Sequence, residues 1–419
     1  MRRSTLRTHV WTLAVAVALA ACGSAEEDPN TIGNGPGDGP VDPNDPSQQP
    51  QTPEEQVKEI LDARKTDHGE ALRTASLKLR DRLPSLAEIK QIQAAPDENA
   101  KKIAYEKLID EMLTSPDFSE TMVKFWKDTF RTGQVGNVQQ GRVSRDFAAN
   151  FAAQVTVEGR SYNELFTATT NTCPTFEVDG ETNAATFTAG NCPAPANQIA
   201  EAPTVGVLTD PGLQSQYFAN MAFRRVRFIQ ETFACSKFPA AYAATPVPMG
   251  AGVYTGQHPF ESIAGKKNNP EARVDFHDTQ AVICANCHND MNHIAPLFLN
   301  YDANGALRDT PQVEIPIPGN PDARRSDYLP DGEGLAWRVG KPITDMATLG
   351  KALTEDPEVA RCAVNRVWNY AMSRGDIVND LATVPNPVTQ PYVDAFVSGG
   401  LKLKETIRAV FKSEDFTKF

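Results

Sequence analysis

The chain has 419 residues, 40% of them hydrophobic and 22% charged, and a formal net charge of −12 at pH 7. That length and apolar content suffice for two or three domains with real cores. The acidic excess argues against a nucleic-acid partner, which needs a basic surface.

Residues 1–21 read as an export leader. Arg2, Arg3 and Arg7 form a basic start, and Val10 to Ala20 form an apolar stretch too short to span a bilayer. It ends in Leu19-Ala20-Ala21-Cys22-Gly23, which resembles the lipobox of bacterial lipoproteins. Small residues suit the cleaving peptidase, and the Cys22 thiol accepts the lipid. The other reading is an ordinary secretory signal with a chance cysteine. Gly23-Ser24 follows in place of an aspartate, and the resemblance then implies sorting to the outer membrane, facing periplasm or cell surface. Residues 22–54 are rich in Pro, Gly, Asp, Asn and Gln, with Ile32 and Val41 as the only large apolar side chains. A segment that buries so little does not offset its ordering entropy, so it reads as a disordered tether.

From there the chain reads as mainly helical. Residues 55–150 form an N-terminal helical domain: Ser85-Leu86-Ala87-Glu88 after Pro84 is a capping-box start. Tyr105, Leu108, Ile109 and Met112 follow at the spacing of one helix face. Residues 151–205 read as an insert. Between Cys173 and Cys192, Thr, Val and Phe alternate with Asn and Gly, which predicts a hairpin or loop. Val226, Ile229 and Phe233 mark a helix within residues 206–340, where Arg224, Arg225 and Arg227 read as a solvated face or as partners for an anionic group. Asp302-Ala303-Asn304-Gly305 lacks the spacing of a calcium loop and reads as a turn. In residues 341–419, Val364, Val367, Trp368 and Ala371 mark one helix and Leu403, Ile407, Val410 and Phe411 another. Ser115-Pro116-Asp117-Phe118 and Ser413-Glu414-Asp415-Phe416 repeat one Ser-x-Asp-Phe signal after an amphipathic helix.

The string that bears chemistry is Cys284-Ala285-Asn286-Cys287-His288. This C-x-x-C-H spacing lets two thiols add to the vinyl groups of one haem while the adjoining imidazole takes the iron. It predicts one covalent haem c on Cys284 and Cys287, with His288 as proximal ligand. Haem is joined to such motifs outside the cytoplasm, in keeping with the leader. Zinc wants a second Cys or His pair at similar spacing, and the remaining cysteines stand far apart; a redox dithiol wants a βαβ setting that Val282-Ile283 is too short to indicate. Cys22 apart, four cysteines remain. Cys173 and Cys192 bracket the insert and are paired here, which leaves Cys235 with Cys362 or as two buried free thiols.

The run from Arg82-Leu83-Pro84-Ser85 through Leu108-Ile109-Asp110 to Ser115-Pro116-Asp117-Phe118 and Phe125-Trp126 resembles the N-terminal helical domain of planctomycete-type cytochrome c proteins. Val364-Asn365-Arg366-Val367-Trp368, Arg374-Gly375 and Leu403 to Phe416 are similar to their C-terminal domain. Arg224-Arg225 to Cys235, then His277, Cys284, Cys287, His288, Met291, Asn300-Tyr301-Asp302 and Gly305, resemble the haem-bearing segment of related proteins. One departure is Asn292-His293, where such proteins often carry Asp-Pro. The resemblance implies helical domains around a haem segment and supplies no reaction.

For the sixth iron position, Met291 and His293 lie too close to His288 to reach the far face of the ring. Met346, ahead of a helix, and His277, which recurs in the resembling segment, are the candidates, with an open position as the third possibility. The expected protein is thus a lipid-anchored c-type cytochrome of the cell envelope, carrying single electrons to or from a redox partner protein there and held at a lipid bilayer by its acylated N-terminus. A haem peroxidase or oxidoreductase with open iron, and a scaffold with a redox-sensing haem, are the alternatives.

Overall fold

Between residues 67 and 129, each helix begins where a side chain offers an oxygen to its first free amides. In the computed structural model, which describes residues 59, 63–132, 143–237, 288, 290–315, 319–329, 331–338 and 340–419, Asp67 caps α1 (His68–Arg80). Ser85 caps α2 (Leu86–Gln93), with Glu88 returning a bond to the Ser85 amide at 2.6 Å as the capping box requires. Asp97 caps α3 (Glu98–Met112) and Ser115 caps α4 (Pro116–Thr129). The repeated Ser-x-Asp-Phe signal therefore starts helices: Ser115 Oγ accepts from the Phe118 amide and Ser413 Oγ from the Phe416 amide, while both phenyl rings are buried. Ser115→Ala and Ser413→Ala are each expected to lower stability by about 1 kcal/mol, and urea unfolding of the two single variants checks this.

One helix, α5 (Asp146–Val157), is buried along most of its length and packs against α4. Next come a short helix, α6 (Glu164–Thr167), and the insert, where β1 (Thr175–Val178) pairs antiparallel with β2 (Ala185–Thr188) and sets Phe176 opposite Phe187. Beyond it lie α7 (Pro211–Gln216) and α8 (Phe223–Phe233), then a two-residue pairing of β3 (Ala336–Trp337) with β4 (Lys341–Pro342). The chain closes with α9 (Met346–Glu355), α10 (Pro357–Ala371), α11 (Asn386–Ser398), α12 (Leu403–Phe411) and α13 (Glu414–Thr417). The fold is mainly α with a small hairpin. Among the described residues no helix is long and apolar enough to cross a membrane.

The stretches that read as successive domains, 55–150, 206–340 and 341–419, pack from Arg64 onward as one unit ending at Phe419. The reason lies in their faces. Each amphipathic helix has one apolar stripe to cover, and the stripes of the two chain ends cover each other. The Tyr105 hydroxyl donates to the Phe411 carbonyl at 2.6 Å, the Asp110 carboxylate takes Arg408 at 3.0 Å and Lys412 at 2.8 Å, and the Tyr370 hydroxyl donates to the Lys78 carbonyl. Lys65 and Phe419 exchange backbone bonds of 3.0 Å in both directions.

Two disulfides tie the loops down. Cys173 is joined to Cys192 at the base of the hairpin, with Cα atoms 4.7 Å apart, and Cys235 just past α8 is joined to Cys362 on α10, at 5.3 Å. Beside the first bridge lies Asp210, which caps α7 by accepting from the Leu213 amide at 2.8 Å. Burial pushes its carboxyl up to about 7, against the pull of the Leu213 and Gly212 amides. The native state thus keeps a proton that the unfolded chain loses near pH 4, so this group's contribution is full below about pH 4 and is lost as pH rises through about 7. Asp210→Asn keeps a capping oxygen without the charge. It is expected to raise the urea midpoint at pH 8.5, to leave it nearly unchanged at pH 4.5, and so to flatten the stability–pH slope between the two.

Candidate metal centre

Chemistry enters through His288, which precedes a helical run at 290–294. Asn292 follows it by four residues, one helical turn on, and is fully buried. The Asn292 Oδ1 lies 2.9 Å from His288 Nδ1. An amide oxygen only accepts, so Nδ1 carries the proton and Nε2 carries the lone pair. That is the tautomer a metal needs, fixed by the kind of outer partner that metal-bound histidines usually have. Burial lowers the pKa of His288, while Asn292 works in the other direction.

The imidazole is set edge-on to the Phe223 ring, 4.8 Å between centroids at 84°, and Phe223 in turn packs against Tyr328 at 5.5 Å. Phe223 leaves a strained loop, since Asn220, Met221 and Ala222 in succession have φ of 50°, 56° and 68°, a left-handed conformation that side chains with a Cβ disfavour. The Tyr328 hydroxyl holds that loop by donating to the Met221 carbonyl at 3.0 Å. On the other side of the helical run, His293 Nε2 lies 2.5 Å from Glu333 Oε1, and burial pushes the Asp290 carboxyl up to about 7.

Behind this wall stands Arg225. The sequence offered it as a solvated residue or as an anion partner, and it is neither: it is 2% exposed, and its guanidinium donates only to backbone carbonyls, of Gln214, Phe298, Tyr301 and Asp302. It thereby fixes α8, which carries Phe223, to the 298–302 segment just after the His288 run. Asp302 also forms the expected turn, its Oδ1 accepting from the Asn304 and Ala306 amides. Gly305 completes that turn at φ 84°, where a Cβ would overlap the Pro211 carbonyl.

Cys22, His277, Cys284 and Cys287 lie outside the described residues. Met346 is the first residue of α9, buried, on a helix that packs against α6 and the 3-10 turn Gly206–Thr209. Trp126 and Trp368 are core residues, Trp126 donating to Thr156 Oγ1 at 3.0 Å and Trp368 lying against Tyr392. Sequence reasoning missed Asn292, Phe223 and Tyr328. For Asn292 the i,i+4 offset from His288 was the available signal.

Residues 54–192 match a family model described as PSCyt2, a protein of unknown function (DUF1549). The match covers about a third of the chain, from the N-terminal helices to the Cys173–Cys192 hairpin, and ends before the C-x-x-C-H motif. Its name connects that region with cytochromes and gives it no activity. No curated protein matches the chain, and no solved structure does.

Proposed function

We propose that this protein is an exported, lipid-anchored c-type cytochrome that carries single electrons, with one haem held by Cys284, Cys287 and His288. The observation that carries the reading is the His288–Asn292 bond directly after the motif, because a histidine with Nδ1 committed as donor presents Nε2 as a ligand atom. The residues present suit the group: a tautomer-fixed imidazole, an aromatic wall of Phe223 and Tyr328, and the motif's two thiols. Bound there, haem supplies reversible one-electron chemistry at iron. The chain's part is to orient and to exclude. Phe223 stands edge-on to the imidazole with Tyr328 packed behind it, and Asn292 raises the imidazole's basicity, which would favour ferric iron. Met346 or His277 would take the sixth position unless it stays open, and Cys22 would carry the acyl anchor that keeps the protein in the envelope with its redox partner.

The test is expression in cells competent in cytochrome c maturation. Haem is expected to survive denaturing electrophoresis and to disappear in Cys284→Ala/Cys287→Ala, and Cys22→Ser is expected to release the protein from membranes. A band without haem-dependent peroxidase stain would overturn the haem reading. In the purified protein, loss of the weak sulfur-to-iron band in Met346→Ala would assign that ligand. Immediate binding of carbon monoxide to the reduced wild type would instead mean open iron and a haem enzyme.

A further inference from the structure

The two disulfides are alike in exposure and differ in what their buried sulfur meets. Cys173 and Cys362 are 3% and 2% exposed, while their partners Cys192 and Cys235 are only half-buried. The Cys362 sulfur lies 3.6 Å from a backbone oxygen, the Thr232 carbonyl. The Cys173 sulfur meets an acid instead, with Asp210 Oδ2 at 3.4 Å. A sulfur already in a disulfide has no hydrogen to give, so this contact is a favourable one when the carboxyl supplies the hydrogen. Asp210 Oδ1 accepts from the Leu213 amide at 2.8 Å, which leaves Oδ2 to carry the proton against the sulfur.

Capping α7 does not call for that proton. Asparagine or serine offers a capping oxygen without a buried ionisable group, yet Asp210 is 1% exposed, and burial pushes its carboxyl up to about 7. Around it stand Arg145 and Asp146 at the start of α5, Tyr217 at the end of α7, and Asp302 and Arg308 in the segment whose Gly305 abuts Pro211. Asp146 pairs with Lys127 at 3.1 Å, Asp302 lies 3.9 Å from Arg308, and the Tyr217 hydroxyl donates to the Phe130 carbonyl. No charged side chain contributes to the shift of Asp210.

A disulfide opens when a thiolate attacks one sulfur and the other leaves as a thiolate. A buried leaving sulfur bears that charge poorly. An acid in contact with it lifts the difficulty by protonating it as it departs.

We propose that Cys173–Cys192 is a thiol–disulfide exchange site, where a dithiol partner attacks Cys192 and Asp210 is the general acid for Cys173. The partner's thiolate bonds to Cys192 Sγ, the bridge breaks, and its electron pair goes to Cys173 Sγ, which takes the Asp210 proton. The partner's second thiolate then displaces Cys192 from the mixed disulfide. Solvent returns one proton to Cys192 and one to Asp210, matching the two that the dithiol gave up. The partner leaves as a disulfide, two electrons poorer, and the bridge is left as two thiols. This two-electron site lies apart from the haem and does not rest on the haem reading.

The test uses the full chain from cells competent in cytochrome c maturation, with dithiothreitol as the dithiol probe and glutathione as a monothiol. Samples are quenched by alkylation, and peptide mapping reads every cysteine separately. At pH 6 the Cys173–Cys192 bridge is expected to open at least ten-fold faster than Cys235–Cys362, and trapped glutathione is expected on Cys192. Divided by the reductant's thiolate fraction, the opening rate of Cys173–Cys192 should fall about ten-fold from pH 6 to pH 8.5, as Asp210 loses its proton, while that of Cys235–Cys362 stays level. Asp210→Asn should hold the first profile flat at its low value, with the circular dichroism of the parent. The wild-type profile decides by itself if that variant does not fold. Equal rates at the two bridges, glutathione on Cys173, a level wild-type profile, or a folded Asp210→Asn variant with the wild-type profile would overturn the proposal.

Discussion

Arg225→Met is expected to destabilise the folded unit by about 4 kcal/mol, seen as a lower urea midpoint at unchanged slope. The guanidinium makes five bonds to four carbonyls and is stacked near the Phe218 and Tyr301 rings, at 5.1 and 5.7 Å. Burial lowers its pKa to about 9, so it still carries its charge at neutral pH. Methionine fills much of the space and satisfies none of the oxygens, each of which then stands to lose about 1–3 kcal/mol before the backbone relaxes. Lysine keeps the charge but lacks the planar fork. Arg225→Lys should therefore recover only part of the loss. A methionine variant within about 1 kcal/mol of the parent, less than a single orphaned carbonyl costs, would show that these segments hold together without the arginine.

Cys235→Ser/Cys362→Ser is expected to cost about 5 kcal/mol, against about 3 kcal/mol for Cys173→Ser/Cys192→Ser. The difference comes from the unfolded chain. The Cys235–Cys362 bridge spans a sequence separation of 127 residues and the Cys173–Cys192 bridge only 19, and closing the longer loop removes more conformational freedom. Urea midpoints of the two double variants, compared with and without reductant, give the ordering directly. Equal losses would mean that the unfolded protein already holds the long loop closed.

Local order was legible because it depends on near neighbours. Ser85 announces a helix start within four residues, and Tyr105, Leu108, Ile109 and Met112 are buried as their spacing demands, whereas the turns at Ser115 and Ser413, read only as following a helix, also begin one. The hairpin between Cys173 and Cys192 follows from alternation. Arg225 was misread by residue type, although it stands four residues before Ile229 and so on the same face of α8. The partnership of the two chain ends was not legible, since Asp110 meets Arg408 across 298 residues and no local pattern encodes such a meeting.

The bridge from Cys235 to Cys362 closes a loop that contains Cys284 and Cys287, and this bears on biogenesis. Apart from Cys22, an exported chain would offer six thiols to an oxidising compartment, and six thiols can pair in fifteen ways. If the proposed thioether bonds took Cys284 and Cys287 out of the pool, four would remain and only three arrangements would be left. Haem attachment would then act as a proofreading step in maturation, and the long bridge would best be closed after it. A cell short of haem would, on this account, accumulate protein whose fault is scrambled cross-linking and not merely a missing cofactor.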